Sequence, residues 1–198
     1  MKLHQAVLAV VSVLSLAIGS AQADPVKIRV AYVVPVANWA PMIVEKLDLA
    51  KHNGKSYTIE AVRYQGTPPI ITGLANGELE IGDLAYSSLA LAIKNAGIND
   101  LRVIADEFQD GAPGYYSNEF FVAKDGPIKT INDIKGKVVA TNAVGSAIDL
   151  GLKMALKKAG LEEKRDYTVI ETPFPTMAAM LAERKADVVS VVPPYSYN

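Results

Sequence analysis

The 198-residue chain has no cysteine and only two histidines, and both shortages limit what it can do. Without cysteine it carries no disulfide, no metal-binding thiolate and no thiol for a lipid anchor, so its fold rests on its apolar core alone. His4 lies within the first few residues, which leaves His52, in the polar stretch Lys51-His52-Asn53-Gly54-Lys55, as the one imidazole of the main body. No carboxylate or nucleophile pattern accompanies it, and it reads as a solvated surface residue. No Gly-x-Ser-x-Gly elbow, phosphate-loop lysine motif, Gly-x-Gly-x-x-Gly turn or Asp-x-Asp-Gly calcium loop occurs. The expectation is a protein with no catalytic residue, no metal and no cofactor.

One long apolar run is present, and it is short for a membrane span. Lys2 and His4 precede an almost unbroken apolar stretch over residues 6–18, and Ala21-Gln22-Ala23 supplies a small-x-small cleavage site before Asp24. A bilayer needs about 20 apolar residues, so residues 1–23 read as a cleaved signal peptide and the protein as periplasmic. Removing them takes away one Lys and no acid, leaving 19 basic and 21 acidic residues, a formal charge of −2. That balance gives no reason to expect nucleic acid or an anionic membrane surface as partner.

Strand-like runs and helix-like segments alternate along the rest. Strands are expected at residues 27–34, 57–64, 80–84, 101–105, 119–123, 137–140, 167–171 and 187–192, and helices at 41–50, 70–76, 87–95, 146–159 and 176–184. This order predicts an α/β fold with mainly parallel sheets flanked by helices. The Gly-, Pro- and Tyr-rich stretch 106–118 divides it into a first lobe, 24–107, and a second, 108–192.

Five junctions share one form, in which a strand ends in a small-polar or Pro/Gly loop that opens a helix. They are Val36-Ala37-Asn38-Trp39, Gly66-Thr67-Pro68, Tyr86-Ser87-Ser88, Asn142-Ala143-Val144-Gly145-Ser146 and Pro173-Phe174-Pro175-Thr176. In open parallel sheets such loops line the carboxyl edge, where backbone N–H groups and helix dipoles favour an anion. Trp39, Tyr86 and Phe174 add aromatic surface, and Tyr115 and Tyr116 stand in the inter-lobe loop. No Lys or Arg lies within the junctions, so neutral donors are expected to meet the ligand's charge.

Three segments carry a resemblance. They are residues 65–82, beginning Gln65-Gly66-Thr67-Pro68-Pro69 and closing Glu80-Ile81-Gly82, then Lys129-Thr130-Ile131-Asn132-Asp133-Ile134-Lys135-Gly136-Lys137, and the run from Ala178 to Val188 with Ala186-Asp187-Val188 at its end. Together they resemble the sulfonate/nitrate/taurine group of solute-binding proteins of ABC importers. The resemblance implies a two-lobed type II periplasmic binding fold that closes on a small, anionic ligand and docks on a membrane permease, as a monomer. It implies ligand contacts from Asn38, Trp39, Thr67, Tyr86, Ser87 and Ser88 in the first lobe, and from Asn142, Ser146, Phe174 and Thr176 in the second. Members of the group often carry an acidic residue before Pro-Tyr where this chain has Pro193-Pro194-Tyr195, which disfavours an amino-sulfonate. The group's chains also return to the first lobe after this point. Residues 193–198 therefore read as the start of that crossover, in a truncated member whose first lobe is incomplete. A neutral aromatic vitamin precursor as ligand, the sensing domain of a signalling receptor, and a pyrimidine-biosynthesis enzyme of this fold are the alternatives.

Overall fold

A computed structural model describes residues 23–107, 109, 111, 113, 114 and 116–197. The signal-peptide reading falls almost wholly outside the described residues, as does Tyr115. Two sheets organise the chain. The first is three-stranded and parallel, in the order β2-β1-β3, from β1 (Val26–Tyr32), β2 (Tyr57–Arg63) and β3 (Ile81–Gly82). The second has four strands in the order β4-β7-β5-β6, from β4 (Glu119–Val122), β5 (Lys137–Thr141), β6 (Tyr167–Glu171) and β7 (Val188–Val191). Only β4 runs antiparallel to its neighbour.

The helices are α1 (Trp39–Glu45), α2 (Thr67–Ala75), α3 (Tyr86–Ala96), α4 (Ala147–Lys158) and α5 (Met177–Ala182). In α4, Asp149, Leu152 and Leu156 are buried at helical spacing, Ser146 caps the N-terminus, and Lys157 and Lys158 lie in the last turn, where the helix dipole favours cations. Gly97 ends α3 in the left-handed conformation, with φ of 69°, which costs a residue without Cβ nothing. Among the described residues no helix is long and apolar enough to cross a membrane.

Alternation along the central strands divides the core of the second sheet. Val139 and Val188 face α4 and pack with Leu152, Leu156, Ile134 and Tyr167. Their neighbours Ala140 and Val189 face the other way, onto Phe174, Met177 and Ala186. Val34, just past the end of β1, inserts into this latter cluster, so the two sheets share a core at that point. In the first sheet Ala31 packs on Ile70 and Leu79, with Val62, Tyr64 and Leu74 around them.

Four expected elements differ from the structure. Residues 101–105 form no strand. Val103 and Ile104 are 58% and 70% exposed and have no ladder partner, and an apolar run becomes a strand only beside a free edge it can pair with. The strand expected at 80–84 shortens to Ile81–Gly82, since only Val30 and Ala31 lie opposite it. The helix expected at 41–50 begins earlier and stops at Glu45, where Lys46 leaves helical geometry (φ −130°, ψ 70°) and a 3-10 turn, Leu47–Leu49, follows. The helix expected at 176–184 opens as the 3-10 turn Phe174–Thr176 and ends at Ala182, ahead of the left-handed Arg184.

Candidate functional site

The carboxyl ends of β1 and β2 meet those of β5 and β6. Gln65, two residues past β2, donates from Nε2 to the Asn142 carbonyl at 2.8 Å, and Asn142 Nδ2 returns a bond to the Gln65 carbonyl at 3.0 Å. Gly66 lies so close to the second sheet that a Cβ there would stand 2.6 Å from the Ala143 Cβ. Arg63, the last residue of β2, donates from Nη2 to the Tyr195 hydroxyl at 3.2 Å. Between these contacts opens a crevice of about 270 Å³, walled by Val33, Arg63, Tyr64 and Gln65 on one side and Pro173, Phe174 and Pro175 on the other. Phe174 is buried and its ring stacks on Tyr195, with centroids 6.0 Å apart and planes 14° from parallel.

Of the ten residues expected to contact ligand, Phe174 alone lines this crevice. Asn142 borders it through the bonds to Gln65, and its Oδ1 accepts from the Ser146 hydroxyl at 3.0 Å. Ser146 also accepts from the Asp149 amide, so this buried hydroxyl is occupied on both sides. Thr67 shares a hydrogen bond of 2.8 Å with the fully buried Ser88. Thr176 shares one with Thr172 and donates to the Pro173 carbonyl. Asn38 Oδ1 accepts from the Val33 and Val34 amides, and its Nδ2 donates to Glu107. Trp39 is half-buried and its amide also donates to Glu107. Tyr86 and Ser87 open α3 with exposed side chains, and Tyr116 is exposed as well.

At two of the five junctions, three backbone donors are met by the chain's own carboxylates. Glu107 accepts from Trp39, Glu171 from Val144, and Asp149 from Gly145. Asp149 is itself paired with Lys153 at 2.9 Å. Near Glu107, burial together with the charge of that carboxylate pushes the Asp83 carboxyl up to about 7, and its Oδ2 is buried without a partner. Among the described residues no group of three or more His, Cys, Asp or Glu side chains gathers to hold a metal ion.

Sequence reasoning missed Arg63, Gln65, Tyr195 and Glu107. Arg63 had a usable signal, because it closes a parallel strand just ahead of the Gly66-Thr67-Pro68 junction, and such residues face the carboxyl edge. Glu107 had none, since its partner lies 68 residues away in the chain, and Tyr195, whose partner lies 132 away, had only the Pro-Tyr pattern of the resemblance.

Solved structures share this architecture. The alkanesulfonate-binding protein SsuA from Xanthomonas axonopodis pv. citri, bound to MOPS, superposes with a TM-score of 0.65 at 21% identity, over 88% of this chain and 57% of that one. The periplasmic aliphatic sulphonate binding protein SsuA from Escherichia coli gives 0.54 at 21% identity, over 87% and 56%. The periplasmic nitrate-binding protein NrtA from Synechocystis PCC 6803 gives 0.58 at 16%, over 86% and 48%. The chain thus spans about half the length of these neighbours, and the likeness is one of fold. No curated protein matches the sequence. The model of the NMT1-like family matches residues 21–198, nearly the whole sequence, and the protein belongs to that family.

Proposed function

We propose that this protein is a solute-binding component of an ABC importer, exported to the periplasm with cleavage after Ala23, which holds a small anion between its two sheets. The observation that carries this reading is the convergence of both sheets' carboxyl edges on one crevice, bridged by the Gln65 and Asn142 bonds. Edges of this kind are where open α/β sheets bind ligands, and two halves joined by few contacts can open and close. The lobes fall at residues 24–107 and 108–192, and closure brings the junction residues Asn38, Trp39, Thr67 and Ser88 toward Asn142, Ser146 and Thr176. The closed form is what a membrane permease would recognise. The family match and the fold shared with SsuA and NrtA support the binding role and the anionic class of solute. No turnover is expected of it.

Native mass spectrometry of protein taken from the periplasm without refolding tests the reading. One small anion retained per chain, and exchanged by added sulfonate or nitrate, is the expected outcome. A measurable hydrolytic or redox turnover that survives purification would sink it.

A further inference from the structure

The crevice has a charged end and an apolar wall, and the charge comes from a residue outside the expected junctions. The amides of Trp39, Val144 and Gly145 are spent on Glu107, Glu171 and Asp149, and the hydroxyls of Thr67, Ser146 and Thr176 are spent on protein partners. Arg63 differs. Its guanidinium is exposed at the crevice, and its recorded bond is the one to the Tyr195 hydroxyl. Among the described residues no carboxylate lies within ion-pair distance of it, whereas Arg29 and Arg165 are each held by an acid. Tyr195 is in turn steadied by its stack on Phe174, so the fork of Arg63 is aimed by an aromatic pair reaching across from the second half. A planar guanidinium matches the oxygen pairs of a sulfonate or carboxylate. Pro173, Phe174 and Pro175 on one side, with Val33 and Tyr64 on the other, offer a small flat body a dry surface that a bare inorganic ion would leave wetted.

We propose that Arg63 is the charge partner of the bound solute, and that the solute is a small organic monoanion, a sulfonate or carboxylate, whose apolar body lies against Phe174 and Tyr64. The assignment rests on the reading of the crevice as the solute site.

Isothermal titration calorimetry of the full chain with benzenesulfonate, benzoate, nitrate and the neutral benzenesulfonamide tests it, alongside amide NMR spectra of the same mixtures. The wild-type protein is expected to bind benzenesulfonate or benzoate at least about tenfold more tightly than nitrate or the sulfonamide, the better of the two identifying the head group. Arg63→Gln is expected to lose about tenfold or more for the organic anion, as removal of a charge-assisted hydrogen bond predicts, and to change the sulfonamide by less than about twofold. It should also flatten the salt dependence of binding, while Arg63→Lys retains part of the affinity. The side chain is exposed, so the variants should keep the wild-type spectrum. Unchanged anion affinity in Arg63→Gln, with amides of residues 65–67, Phe174 and Thr176 still shifting, would overturn the role of Arg63 and leave the crevice as the site. Nitrate bound as tightly as the organic anions would overturn the proposed class of solute. If no probe shifts those amides in the wild-type protein, the crevice reading falls and this assignment with it.

Discussion

Asp83 follows the short strand β3, and among the described residues its carboxyl is pushed far from its ordinary behaviour. Burial, and then the charge of Glu107, push it up to about 7, against a usual value near 3.8. A carboxyl raised by folding holds its proton in the native protein while the unfolded chain releases it. Its contribution to stability is therefore complete below about pH 4 and is lost as the pH rises to about 7. Part of the group meets solvent, and with that screening allowed for the loss is on the order of 1–3 kcal/mol. Urea denaturation at pH 5 and pH 8 should show wild-type stability falling by the larger part of that amount from this source, the rest being lost between pH 4 and pH 5, with the fall much reduced in Asp83→Asn. Equal falls in the two proteins would show that Asp83 does not titrate between those values. Glu107 stays tied to Asn38 and Trp39 in the structure, so the pH effect should appear without any ligand present.

At the scale of elements, the loop that opens α4 is built before any ligand arrives. Ser146 has extended geometry (φ −69°, ψ 165°), accepts from the Asp149 amide and donates to Asn142, and so does the work of a helix cap and a loop brace together. Ser146→Ala should cost about 1–2 kcal/mol of stability, read as a lower urea midpoint with an unchanged m-value. A midpoint equal to that of the wild-type protein would show that the loop is held without the cap. This helix was legible in the sequence because its signals are local: a serine cap, apolar residues at helical spacing, and lysines at the end. The strand Tyr167–Glu171 was legible for the same reason. Residues 101–105 carry an equally good local signal and form no strand, because a ladder is a property of two segments and these residues pair with no other. The ends of α1 and α5 were misjudged where single residues, Lys46 and Arg184, leave helical geometry without a Gly or Pro to announce it.

For the molecule as a whole, the question is how two sheets remain in register across a crevice. Gly66 answers part of it through close approach, since its extended backbone is open to any residue while the space beside it is not. A methyl group there would meet Ala143 and press on Asn142 Nδ2 at 3.0 Å, wedging apart the strand ends that Gln65 and Asn142 join. Gly66→Ala should disfavour the joined arrangement by about 1–3 kcal/mol, the usual cost of overpacking, and weaken anion binding by about fivefold or more. Each half should remain folded, as judged by circular dichroism. Affinity equal to that of the wild-type protein would mean that this contact is not part of closure. The family-wide pattern in residues 65–82 pointed to this corner from the sequence. The partners that complete it did not appear there, because Gln65 and Asn142 are 77 residues apart and Arg63 and Tyr195 are 132 apart. Carboxylates of the chain's own, Glu107, Glu171 and Asp149, take three of the backbone donors that two of the junctions hold out to a ligand, and no local pattern could have foretold that.

Hydrogen exchange read by mass spectrometry, with and without saturating benzenesulfonate, tests the central claim most directly, because a solute held between the sheets must slow exchange in both at once. Added protection is expected in residues 64–67 of the first half together with residues 141–146, Phe174 and Thr176 of the second. A second opening, of about 260 Å³, lies within the second half alone, among Phe120, Ile131, Ile134 and Leu152. Protection confined to that opening, or to either half by itself, would contradict the claim.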